Sequence, residues 1–411
     1  MNVATAPLAA TTVQRSTTRL LSLDVFRGVT IAAMLLVNKQ GSSEAGYAAL
    51  QHVPWHGATP TDWIFPFFLF IVGVALPFSV AARRRAGATD AEILRHALIR
   101  GAILFALGVF EKNFPFLNSA LDTFRIPGVL QRIAFCYVAV TALEVYASTR
   151  LKAIVATGLL VGYWILLAFV PVPGAGVVPM TREFASDNWV AWLDQLTMGR
   201  HLGYGNRTWD ANGLLSSFPS IVTTQAGVLT AAILRARGAS MGAVSRLSMI
   251  GAVAVIVSWF WGGSQPLIGL GIIGEPSVRD SLVFPINKML WTSTYVLYTA
   301  GLAMLALAAC VRAVDMARRV PPAWTTPFLW LGSNAIFAYL ASGLVAKLLN
   351  VATVDGGAGT RLSLWDWAYQ RVFAAGIPDL ALASLLCSTA YLLIWMAICG
   401  WMYKRRLFVK L

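Results

Sequence analysis

The chain has 411 residues, of which 57 % are hydrophobic and 12 % charged, and its mean hydropathy is +0.67. A charged share about half that of an average soluble domain excludes a water-soluble globule. The formal net charge of +14 does not point to nucleic acid, because the basic residues stand in short clusters between apolar segments, as membrane topology requires.

Residues 1–19 form a polar leader without an uninterrupted apolar core, and the first apolar segment carries Asp24 and Arg27, so no cleaved signal peptide is expected. Apolar runs of about 20 residues, bounded by charge or by Pro/Gly clusters, predict membrane-spanning helices. They fall at 20–38, 61–82, 92–110, 127–146, 151–170, 214–234, 244–262, 285–310, 327–349 and 380–403. The expected fold is all-α, a polytopic membrane helix bundle of about ten spans in one domain over 20–403, with polar tails at 1–19 and 404–411. No internal repeat and no soluble domain is evident. The segment 262–276, rich in Gly and Pro, is a candidate re-entrant stretch. Cys136, Cys310, Cys387 and Cys399 lie inside apolar segments without C-x-x-C spacing, which argues against a disulfide framework or a zinc site.

Basic clusters orient the bundle. Arg15 and Arg19, Arg83 to Arg85, Arg150 and Lys152, Arg235 with Arg237 and Arg246, Arg312 with Arg318 and Arg319, and Lys404 to Arg406 precede the first span or follow an even-numbered one. The positive-inside rule then puts both termini in the cytoplasm. The long loop 171–213, with Trp189, Trp192 and Trp209 among mixed charges, faces outward, either anchored at the interface or covering a site.

With that orientation the unusual polar residues sort into two layers. Asn38, His52, His56, Asp62, Arg125, Arg132, Asp210, Asn287 and Lys288 belong to the outer layer; Asp24, Arg27, Glu144 and Asn334 to the inner one. Ionisable groups at membrane depth cost roughly 2.5 to 3.5 kcal/mol each on insertion scales, so they normally pair or face a wet cavity. Asp24 and Arg27, at i and i+3, can also satisfy each other on one helix face.

The stretch from Gln51 to Pro66 concentrates the chemistry. Pro54, Trp55, Gly57 and Pro60 make a tight turn able to hold an imidazole against a helix mouth, and either His52 or His56 is chemically competent there. His96 and His201 lack such a setting. Nowhere does His/Glu/Asp spacing make a metal site, and no P-loop, G-x-S-x-G or dinucleotide fingerprint is present.

Several short stretches agree in order and spacing with one known family. They are Ser22-Leu23-Asp24-Val25-Phe26-Arg27-Gly28; Val37-Asn38; His52-x-x-Trp55-x-Gly57-x-Thr59-x-x-Asp62; Phe65-Pro66-Phe67-Phe68-Leu69-Phe70-Ile71-Val72-Gly73; Arg125-Ile126-Pro127-Gly128-Val129-Leu130-Gln131-Arg132; Pro285-Ile286-Asn287-Lys288-Met289-Leu290-Trp291-Thr292-Ser293; and Leu331-Gly332-Ser333-Asn334-Ala335-Ile336. From the first span through the ninth the chain resembles the heparan-α-glucosaminide N-acetyltransferase family of transmembrane acyltransferases, including its bacterial NagX-like members. It departs from the family pattern at His56, where Asn is frequent, and at Asp210-Ala211-Asn212-Gly213, where relatives often read Asp-Pro-Glu-Gly.

The resemblance implies a bacterial inner-membrane enzyme that moves acetyl from cytosolic acetyl-CoA to the amine of a glucosamine or amino-sugar glycan on the periplasmic side. It implies His52 as general base or transient nucleophile and Asn38 as its partner. Asp62, Arg132, Asn287, Lys288 and Asp210 are then expected on the acceptor side. Asp24, Arg27, Glu144 and Asn334 are expected along the path of the donor's pantetheine arm. The partners expected are the bilayer, acetyl-CoA and the acceptor, with no metal and no nucleic acid, and with a homodimer left open. The rival from another class is a secondary transporter for amino sugars, which broken helices and repeated halves would favour.

Overall fold

A computed structural model describes residues 20–42, 44–117, 123–263, 266–267, 272–273, 282–317, 322–357 and 360–409. The 1–19 tail, Arg318 and Arg319, and most of the 262–276 segment lie outside the described residues. The helices are α1 (Leu21–Asn38), α2 (Pro60–Arg85), α3 (Asp90–Asn113), α4 (Val129–Tyr146), α5 (Thr149–Phe169), α6 (Trp189–Met198), α7 (Ser217–Arg237), α8 (Met241–Gly262), α9 (Ser293–Cys310), α10 (Thr326–Ser333), α11 (Ala335–Val351), α12 (Leu364–Ala368) and α13 (Leu380–Lys404). Two short antiparallel hairpins, Pro266–Leu267 with Ile272–Ile273 and Thr353–Gly357 with Thr360–Ser363, are the only paired strands among the described residues.

Among those residues nine helices are long and apolar enough to cross a membrane, and α10 with α11, bent by 71°, makes up to ten spans. Two spans differ from the sequence expectation. The run 285–310 is helical only from Ser293, because Pro285 begins an irregular loop and Trp291 takes φ 54°, a left-handed conformation that ends any helical register. Thr292 then caps α9 by accepting from the backbone N–H of Tyr295. The run 327–349 breaks at Asn334, whose φ of −123° and ψ of 36° separate α10 from α11.

The inner helices are α1, α2, α7 and α9, each burying eleven or more residues. By contrast α5 buries only Tyr163 and Leu167, and its exposed Ile154, Val161 and Ile165 match exposed Met249, Val253 and Ile256 on α8. Apolar side chains so displayed on spanning helices face lipid, where no hydrophobic force drives helix onto helix.

Close backbone approach therefore does the packing, and it needs residues without a side chain. A Cβ on Gly73 of α2 would stand 1.8 Å from the Thr224 carbonyl oxygen of α7, and one on Gly227 would stand 2.1 Å from the Phe70 carbonyl oxygen. We expect Gly73→Ala to destabilise the protein by about 1 to 3 kcal/mol, the usual cost of overpacking. Gly158→Ala on α5, where a Cβ meets nothing within 4 Å, is the matched control and should leave the thermal midpoint in detergent unchanged or raised.

Candidate active site

The site starts from the N-terminus of α2. Pro60 occupies the first helical turn, where its missing N–H costs nothing, and Asp62 sits in that turn with its side chain folded back over the helix start. Its Oδ2 accepts from the backbone N–H of Thr59 (3.0 Å) and of Val53 (3.3 Å) and lies 3.1 Å from the Thr59 hydroxyl. The carboxylate is wholly buried, yet every partner it has is a donor, and the helix dipole favours negative charge there.

Two side chains meet on its other oxygen. His52 Nδ1 lies 2.6 Å from Asp62 Oδ1 and Lys288 Nζ 3.0 Å from the same atom, which leaves the Lys288 ammonium 2.9 Å from His52 Nδ1. An ionised carboxylate only accepts, so the 2.6 Å contact with Asp62 is met by the tautomer that carries its proton on Nδ1, whose Nε2 keeps its lone pair and lies 3.5 Å from Lys288 Nζ. Burial pulls the Lys288 ammonium below the ordinary lysine value, with Asp62 opposing it. The His52 side chain remains 44 % exposed.

Two loops hold this group in place. Gly57, at φ 96°, makes a turn that other residues adopt only with strain, and its N–H donates to the Ile286 carbonyl (2.8 Å). His56 pairs with Asn287 as an isolated bridge, and Asn287 Nδ2 lies 3.2 Å from His56 Nδ1. Asn287 Oδ1 accepts from the Leu290 N–H (2.8 Å), so this buried amide shapes the loop that delivers Lys288. Tyr295 OH donates to the Asp62 carbonyl (2.6 Å), tying α9 to α2 at the same point.

A cavity of about 410 Å³, within the range of small-molecule pockets, opens beside the dyad. Asn38, His52, Lys288, Arg125, Asn212 and Trp291 all line it. Asn38 is exposed at the end of α1 and makes no hydrogen bond to His52. Asp210 stands behind the wall, wholly buried, and holds Arg125 through paired bonds of 2.8 and 3.0 Å. Because Tyr204, Ala211 and Asn212 line the cavity, the 171–213 loop covers the site. Its Trp209 packs edge-on against Trp55 at 5.7 Å, and Trp55 Nε1 donates to the Met180 carbonyl (2.8 Å).

The other expected residues lie apart. Arg132 is buried under Trp291, 4.6 Å from the ring, with Ser216 Oγ, Ser217 Oγ and the Gly213 carbonyl as acceptors, and it borders a different, mainly apolar cavity of about 600 Å³. Arg27 pairs with Asp24 at 3.1 Å and reaches the Gly332 carbonyl at 3.5 Å. Glu144 pairs with Lys152 at 2.5 Å. Asn334, at the break between α10 and α11, accepts from the Val409 N–H at 3.0 Å. None of Arg132, Asp24, Arg27, Glu144 and Asn334 lines the His52 cavity.

The cavity also gathers Lys39, Glu111, Lys112 and Lys347, which the sequence reading did not single out. The available signal was topological, since lysines at the expected outer ends of spans run against the positive-inside rule.

No protein-family model matches the chain. It is 28 % identical over 370 residues to a heparan-alpha-glucosaminide N-acetyltransferase of Homo sapiens, covering 78 % of this chain and 52 % of that protein. A protein of the same name from Mus musculus is 27 % identical over 368 residues, covering 79 % of this chain and 53 % of its own length. The chain thus spans about half the length of the curated relatives it matches.

Burial pushes the His56 imidazole down to about 4, although a hydrogen bond with the Met180 backbone opposes the shift. An unfolded histidine takes its proton near 6.5, so His56 contributes stability that is present above that pH and lost as pH falls toward about 4. Thermal midpoints measured across that window should fall more steeply for the wild type than for His56→Asn.

Proposed function

From a chain related to the heparan-α-glucosaminide N-acetyltransferases over nearly four fifths of its length, we propose a membrane-embedded acyltransferase that moves acetyl from acetyl-CoA to the amine of a glucosamine or amino-sugar glycan. The observation that carries this reading is the Asp62–His52 pair at the mouth of a cavity of small-molecule size. A chain of this composition belongs in a bilayer; we place it in a bacterial inner membrane with both termini cytoplasmic and His52 outward.

In the proposed reaction the acceptor nitrogen attacks the thioester carbonyl, a C–N bond forms and the C–S bond breaks. His52 Nε2 takes the amine proton and passes it to the departing thiolate, while Asp62 holds Nδ1–H and stabilises the imidazolium. Lys288 neutralises Asp62 in the resting dyad. Asn38, which lines the cavity, donates to the carbonyl oxygen as it gains charge. Donor entry from the cytoplasm past Asp24, Arg27, Glu144 and Asn334 remains part of the proposal.

One observation favours a secondary transporter instead, namely the span broken by 71° at Asn334. Acetyl transfer from labelled acetyl-CoA to a panel of amino sugars separates the two. Absence of turnover with every acceptor, together with ion-driven sugar uptake in proteoliposomes, decides for transport.

For the acyltransferase, His52→Ala should lower the transfer rate by about 10² to 10⁴, the usual worth of a general base, while leaving expression and detergent stability near wild type. Asn38→Ala should cost less. Labelled acetyl trapped on wild-type protein without acceptor, and not on His52→Ala, would make His52 a nucleophile in place of a base.

Orientation has its own measurement. Single cysteines beside Arg84 and Arg237 should react with an impermeant reagent from the cytoplasmic side only, and ones near His52 and Asp194 from the opposite side only. Labelling of both sets from one side contradicts the proposed sidedness.

A further inference from the structure

The end of α2 remote from His52 gathers hydrogen-bond donors without acceptors. Arg83 stands in the last turn of α2, and His96 and Arg100 stand one turn apart on α3. Arg83 Nη2 lies 2.7 Å from His96 Nε2. Arginine only donates, so this contact is met by the tautomer whose Nε2 accepts and whose proton is on Nδ1. The Arg100 guanidinium lies 5.0 Å from the centre of the Tyr137 ring on α4, and its buried Nε has no acceptor. Both guanidinium groups are within electrostatic reach of the His96 ring.

The neighbouring carboxylates are already engaged. Asp90 pairs with Arg84 at 2.9 Å, Glu92 accepts from the backbone N–H and the hydroxyl of Thr89 at the start of α3, and Glu144 pairs with Lys152 at 2.5 Å. Neither Arg83 nor Arg100 has a carboxylate within ion-pair distance among the described residues. Arg100 lies about 15 Å along α3 from Asp90, well inside the span, where a guanidinium without an acceptor is costly. The positive-inside rule concerns loops and helix ends, so it does not account for an arginine at that depth.

The surroundings of these donors identify what would meet them. His96, Ile99, Arg100 and Ile103 recur at i, i+3, i+4 and i+7 and so form one stripe on α3. Ile99 and Ile103 are exposed, and with only seven of its 24 residues buried α3 lies at the rim of the bundle, against lipid. From Arg83 into the span the order is donor, donor and then hydrocarbon, the order of phosphate, acyl ester and acyl chain in a phospholipid. We propose that this stripe binds an anionic phospholipid of the leaflet at that end of the bundle, with its phosphate between Arg83 and His96, an ester carbonyl toward Arg100 and a chain along Ile99 and Ile103. The lipid is anionic because the engaged carboxylates leave no partner among the described residues for the ammonium of a choline or ethanolamine headgroup. Exposed Arg85 and Arg95 add to the attraction. The site stands apart from the reaction proposed above and does not depend on it.

Native mass spectrometry of the purified full chain, titrated with phosphatidylglycerol and with phosphatidylcholine of the same acyl chains, tests this directly. Phosphatidylglycerol should bind about tenfold or more tightly, the order expected when a charge-assisted hydrogen bond replaces a neutral one. The double variant Arg83→Gln with Arg100→Gln should lose most of that preference. Arg83→Gln alone should lose part of it, which keeps the test open should the double variant not fold. Arg95→Gln, which removes an exposed charge from the same helix, should keep it. Equal binding of the two lipids by wild type overturns the proposal. So does a preference that falls as far in Arg95→Gln as in Arg83→Gln, because net positive charge alone would then explain it. Two further results also overturn it: inorganic phosphate binding to these residues as tightly as phosphatidylglycerol would leave the acyl chain without a role, and coenzyme A binding that weakens in Arg83→Gln while the lipids are unaffected would give the residues to a soluble nucleotide.

Discussion

One buried carboxylate organises the functional end of this molecule. Asp62 receives the backbone of the 53–59 turn, the imidazole of His52 and the ammonium of Lys288, and the carbonyl of the same residue receives Tyr295 from α9. Two stretches far apart in sequence, 52–59 and 288–295, thus converge on one residue in the first turn of α2. A buried charge left without its partners costs several kcal/mol, so each of these segments is held where it is by the penalty of leaving. The precision of the His52 imidazole follows from a folding requirement, since the group that orients it also starts the helix.

The span count was legible because the hydrocarbon thickness of a bilayer sets the length of an apolar run, and among the described residues nine helices and one bent pair follow from it. What run length cannot see is a change of backbone inside an apolar stretch. Residues 285–292 continue the hydrophobicity of α9, yet Trp291 at φ 54° and the cap at Thr292 make them a loop. Asn334 breaks its span without any proline beside it; its Oδ1 accepts from the Val409 N–H, far along the chain, while its buried Nδ2 has no hydrogen-bond partner.

That His52, Asn38 and Lys288 border one cavity was legible for a different reason. His52, Asn38 and Lys288 sit at helix mouths on one side of the topology, and that alone groups them. The bond from His52 to Asp62 was not legible as such, because a spacing of ten residues across a turn fixes neither direction nor distance. Asn287 and Arg132 are polar and near as well, but one shapes the loop behind Lys288 and the other supports the underside of Trp291, contacts that spacing does not reveal. Lys39, Lys112 and Lys347 went unnoticed because each looks like an ordinary span terminus until α1, α3 and α11 are brought around one space.

The partial exposure of His52 has a further bearing on how such a site would have to operate. Under the proposed function, an imidazole that is 44 % open to solvent would activate whatever nucleophile stands next to it, and bulk water is always present in greater abundance than any sugar. Selectivity for transfer over hydrolysis then cannot come from the dyad alone. Under that proposal it would have to come from the body of the acceptor filling the cavity, which Tyr204 and Asn212 line, and displacing that water. On this view the second substrate is itself the missing wall of the reaction chamber, and a thioester that arrives before it does so at risk of being wasted.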